Sequence, residues 1–168
     1  MSTAGERVRT APARPRDYSG AVYGSLLAAS VVAGSGTPGP YPRLQLVALL
    51  LITGLVFWAA HVYARLAGER LGERELTARE VRRVALHEWP IVQAAVPPAA
   101  AVAISPLLGL GMEGTTWLAL VVAVAEQVGW ASVAVRRAGA SLRLTVVAGA
   151  GNVLLGLVIV AAKATLTH

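Results

Sequence analysis

The sequence predicts an all-α, polytopic membrane bundle of five transmembrane helices, with the N-terminus cytoplasmic and the C-terminus outside. Three observations carry that expectation. The stretch Leu44–Ala64, LQLVALLLITGLVFWAAHVYA, contains no acid, Lys or Arg, and only Gln45, Thr53 and His61 are markedly polar. As a helix it covers ~30 Å, one bilayer hydrocarbon core, and it lacks the polar stripe that a soluble helix keeps for solvent. The whole chain agrees, with 55% hydrophobic and only 14% charged residues over 168 positions, where a soluble domain carries roughly a quarter charged. The third observation is where the 15 basic residues fall. They gather between apolar runs on alternate segments, which is how membrane topology is written.

Residues 1–17 form a polar tail with Pro12 and Pro15 and no apolar patch, expected to be disordered. The first span, 18–34, is short and small-sided. Gly20, Gly24 and Ala28 recur every fourth residue, the spacing that lets helix backbones approach closely in lipid. That row serves either a tight contact within the chain or a subunit interface. Val31 and Ala33 also loosely fit a signal-peptide cleavage rule, but four more apolar runs follow. The segment SGTPGPYPR (35–43) permits only a turn, and the second span, 44–64, comes next.

A charged linker, 65–88, holds six Arg and five Glu. Thr77 and Glu80 have capping-box spacing, so a short helix is expected to start there, with Val81, Val84 and Ala85 as an apolar face along the membrane surface. The third span, 89–110, opens at Trp89-Pro90. Pro97 and Pro98 remove two backbone donors from its middle, so a break is expected there, and Pro106 ends regular helix. The fourth span is 115–135 and the fifth 144–162. On the fifth, Gly149, Asn152 and Gly156 share one face. Residues 164–168 are a C-terminal tail.

Tail, linker and fourth loop together hold 13 of the Lys and Arg, against two elsewhere, which places those segments in the cytoplasm. This interspersed pattern also argues against nucleic acid as the partner, despite a pI near 10.8. The partner implied is the lipid bilayer. There is no Cys, hence no thiolate chemistry.

Glu126 is the sharpest polar feature, an acid at the midpoint of the fourth span. At that depth a charged carboxylate costs several kcal/mol, so it has to be neutral, paired or beside water. Gln127 adjoins it, and Asn152 and His61 are the other candidates for a transport path or a polar core. The plainer reading is a neutral Glu126 hydrogen-bonded to Gln127 or Asn152 as interhelical glue. No HExxH, phosphate-binding glycine loop or paired membrane carboxylates are present, so no enzymatic activity and no cofactor are expected.

Residues 20–34, GAVYGSLLAASVVAG, together with Gly54-Leu55, Gly68-Glu69, Ser105-Pro106-Leu107-Leu108 and Gly139–Arg143, resemble the membrane domain of the vacuolar iron transporter family. The resemblance implies the same five-span, N-in plan and a homodimer through the first span. Most of that family's metal-site residues are replaced. Tyr23 stands at an Asp position, and Phe57 and Arg65 stand at the Glu and Met positions. Only Glu69 and, with a one-residue shift, Asp17 remain as weak metal candidates. A fixed guanidinium repels a cation. Two functions therefore stay open. One is transporter-like, for a cation, proton or small solute. The other is a non-transporting scaffold that binds a membrane partner. The Arg-rich, Lys-poor usage matches a GC-rich bacterial genome and hence a plasma membrane.

Reporter fusions test the topology: one at Gly39 should read outside, one at residue 75 cytoplasmic, and one at His168 outside.

Overall fold

The computed structural model of the chain describes residues 18–35, 39–68, 77–139 and 141–166. The expected disordered tail, Asp17, Glu69 and the last residues of the chain lie outside these. The described residues form helices and turns: α1 (Ser19–Gly34), α2 (Pro42–Gly68), α3 (Ala78–Glu88), α4 (Pro90–Gln93), α5 (Val96–Ile104), a 3₁₀ turn (Ser105–Leu108), α6 (Met112–Arg137) and α7 (Leu142–Leu166). Among the described residues, four stretches are long and apolar enough to cross a membrane: Pro42–Gly68, Ala78–Leu108, Met112–Arg137 and Leu142–Ala161. The first expected span, α1, is apolar but has only 16 residues, about 24 Å. It packs on α6, α4, α7 and α2. Its Ala21, Gly24, Ser25, Ala28, Ala29 and Val32 are all buried.

Successive rods run antiparallel. Tyr18, Arg65, Glu88 and Arg137 meet at one end, through contacts of Arg65 with Glu88 and of Arg137 with Tyr18. Arg43, Ser105, Leu110 and Thr115 meet at the other. Neighbouring rods thus alternate in direction.

The third rod departs from expectation in two ways. Thr77 does cap α3, accepting from the Glu80 amide at 3.4 Å. However, α3 is not a separate helix lying on the membrane surface. Trp89 keeps helical dihedrals (φ −54°, ψ −31°), so α3 runs on into α4. Its buried Val84 faces inward, and Trp58 of α2 donates to the Ala85 carbonyl at 2.8 Å. The linker's apolar face therefore covers α2.

The break itself sits at Ala94-Ala95, one turn before the two prolines. Pro97 and Pro98 occupy the first turn of α5, a position proline tolerates. The donors they lack are those that the Gln93 and Ala94 carbonyls need, so the distortion appears four residues upstream. Pro106 ends the rod as expected. It lies within the 3₁₀ turn that begins at Ser105, and Gly109 leaves that turn with φ +68°, a left-handed conformation that favours glycine.

Glycines on the neighbouring helices grip this break. A Cβ on Gly24 would lie 2.7 Å from the Ile91 carbonyl oxygen and 2.9 Å from Ala94 Cβ. One on Gly54 would lie 3.2 Å from Ala95 Cβ. Gly20 faces Pro90 and Ile91. The Gly20/Gly24 row proposed for a subunit interface is therefore covered within the chain. Ala28 continues it into the core with Ala29, Val32, Leu46, Leu50, Val102 and Leu120.

On α7, the predicted face is used against α6. Gly156 lies over Val124, where a Cβ would come within 2.7 Å of Cγ1, and Gly149 sits by Ser132. The other side of α7 is exposed along nearly its whole length.

Gly24→Ala has backbone, not a movable side-chain tip, in its way. It should lower unfolding stability in detergent by about 1–3 kcal/mol. Gly129→Ala, which has open space around it, should gain up to about 1 kcal/mol from helix propensity. Thermal unfolding of the two variants checks the pair.

Candidate functional site: three separate polar stations

Glu126 lies mid-way along α6, half buried. Its Oε1 accepts from Trp130 Nε1 at 3.0 Å, one turn further along the same helix. The expected bond to Gln127 or Asn152 is not made, because consecutive residues on a helix point about 100° apart. Trp130 stacks on Tyr18 of α1 (centroids 5.7 Å apart), and Arg137 reaches the Tyr18 hydroxyl and lies over its ring. The carboxyl thus heads a string that leads along α6 to the arginine-rich end.

Gln127 points to a different side of α6 and is fully buried. Its Nε2 donates to Asn152 Oδ1 at 3.1 Å and to the Asn152 carbonyl at 3.4 Å. Asn152 Nδ2 in turn donates to the Ala148 carbonyl at 2.9 Å. This is the interhelical amide pair of α6 and α7. Glu126 Oε2 and Gln127 Oε1 are buried without a hydrogen-bond partner.

His61 forms the third station, on α2. With Nδ1 protonated it donates to the Phe57 carbonyl at 3.0 Å, and its ring lies 4.9 Å from that of Tyr23. Tyr23 also meets Phe57, centroids 6.3 Å apart. Arg65, one turn further on, pairs with the buried Glu88. Among the described residues no group of three or more His, Asp or Glu comes together as a metal would need.

A small crevice, with a cavity volume of only about 10 Å³, lies beside the helix break, between α1 and α2. Gly24, Leu27, Leu50, Gly54 and Ile91 are among its walls, and Thr53 is its one polar side chain. None of the four sequence candidates lines it.

Sequence reasoning missed a fourth polar cluster, at the far end. Arg43 NH2 donates to the Leu110 carbonyl at 2.6 Å, and its Nε to Ser105 Oγ and Thr115 Oγ1 at 3.3 and 3.4 Å. Thr115 Oγ1 also donates to Ser105 Oγ at 2.8 Å. Both hydroxyl residues are fully buried. A cation here satisfies carbonyls left open at the end of the third rod, which the helix dipole favours. The sequence signal was available in outline: Arg43 is the lone basic residue between the first two spans.

No family model matches this sequence, and no curated protein or solved structure matches it either.

The Gln127–Asn152 pair should show a coupling of about 0.5–1.5 kcal/mol in a double-mutant cycle with Leu at each position, the range found for hydrogen bonds between helices in membranes. Unfolding in detergent measures it, and a coupling near zero would mean that the amides do not hold α6 to α7.

Proposed function

We propose that the chain is an integral membrane protein that serves as a packing scaffold and not as a conduit. One observation carries this reading: Glu126, the Gln127–Asn152 pair and His61 are engaged in three different places, and none of them lines the crevice at the helix break. A transport site of the broken-helix type needs polar groups gathered where the helix is interrupted. Here the interruption is walled almost wholly by apolar groups, and glycines close around it.

The resemblance to the vacuolar iron transporter membrane domain fits the same proposal. The positions that would carry that family's ligands hold Tyr23, Phe57 and Arg65. Two of them meet as tilted rings and the third is tied to Glu88. On this reading an ancestral cation path is filled by aromatic side chains and a fixed positive charge. One surface open to a partner is the outer side of α7, where Val147, Gly151 and Leu154 are exposed. A small residue there permits close approach of another membrane helix.

Purified protein in liposomes should pass protons, iron and manganese no faster than empty liposomes do. A flux that Glu126→Gln removes would overturn the scaffold reading in favour of transport. Because the chain has no Cys, single cysteines introduced at Val147 or Leu154 should crosslink to a partner in native membranes, while one at Ala28 should not.

A further inference from the structure

We infer that the outward face of α3 is a binding site for the headgroups of anionic phospholipids. Arg79, Arg82, Arg83 and Leu86 fall at i, i+3, i+4 and i+7, on one face of this helix, and all four are exposed. No ion pair joins the three arginines to another described residue. The opposite face is fastened to α2, by burial of Val84, by the Trp58 bond to the Ala85 carbonyl, and by the Arg65–Glu88 ion pair. The arginines are therefore presented by a rigid helix in a fixed direction.

The order of residues along this face selects a lipid over a soluble partner. Trp89 and Leu86 come first, 39% and 61% exposed, and they continue the apolar outer surface of the span. Trp at such a position marks the membrane–water interface. Arg82 and Arg83 follow three to four residues further out, a rise of about 5–6 Å. Arg79 lies one turn beyond. Lipids whose tails cover Leu86 must carry their phosphates at about the level of the arginines, where guanidinium groups bind phosphate in bidentate fashion. Apolar residues followed outward by basic ones are the pattern of a helix held at an anionic surface. The inference rests on the membrane reading alone and is independent of whether the protein transports or scaffolds.

Native mass spectrometry of the full chain in detergent, titrated with phosphatidylglycerol or with phosphatidylcholine of the same tails, tests it. Wild type should retain phosphatidylglycerol in preference, and the triple variant R79Q/R82Q/R83Q should bind it about a hundredfold more weakly, roughly fivefold per arginine. The variant R136Q/R143Q, which removes exposed arginines elsewhere at the same end, should keep the preference. An unchanged stability without lipid shows that the triple variant is folded, and R82K/R83K, which keeps the charge, should retain most of the binding. Equal retention of both lipids by wild type, undiminished binding in the triple variant, or an equal loss in R136Q/R143Q would overturn the site. Undiminished binding in the triple variant would leave the stripe to an acidic protein. Competition by inorganic phosphate at equal concentration would show a free-anion site instead, and likewise overturn it.

Discussion

Two missing backbone donors shape this molecule more than any side chain does. Pro97 and Pro98 have no N–H to bond back to the Gln93 and Ala94 carbonyls. The interrupted rod survives because its neighbours press against it. Gly24 from α1 and Gly54 from α2 carry no Cβ, so helix backbones come close to Ile91–Ala95 from two sides. Lipid tails are as apolar as leucine, so burial of hydrocarbon contributes little to bringing helices together here, and close packing has to do it. The short first helix acquires its central place for this reason.

The polar groups then act as fasteners at separate heights. Arg43 ties the start of α2 to the end of the third rod. The Arg65–Glu88 pair ties the other end of α2 to α3, and Arg137 with Tyr18 ties α6 to α1. Gln127 and Asn152 join α6 to α7. The buried members, Ser105, Thr115 and Gln127, thereby avoid part of the penalty of leaving polar groups unpaired in an apolar medium. Distributed in this way they rigidify the bundle, whereas a pathway would need several of them on one lumen.

How much of this was legible depended on whether a feature was local or relational. Thr77 as a cap, Pro106 as a stop and the Gly149/Asn152/Gly156 face follow from spacing along one helix, and they stand where spacing puts them. The break moved one turn upstream of its prolines, since the carbonyls that lose their donors are four residues earlier. Glu126 was misassigned for a geometric reason: adjacency to Gln127 in sequence is divergence on a helix. Trp130, four residues on, was the neighbour that periodicity already offered. No pattern along the chain joins Tyr18 to Arg137 or Arg43 to Leu110, because those contacts exist only after helices far apart in sequence have packed.

The amino-acid order by itself determined which stretches are helical and apolar enough for a bilayer, and where arginine accumulates, because both depend on hydrophobicity and spacing within a single segment. The tertiary arrangement alone decided that the Gly20/Gly24 row closes on the chain's own third rod, that the linker helix lies against α2, and that the polar residues part company. Those outcomes depend on which faces meet, and a face has no partner until the whole bundle has chosen one.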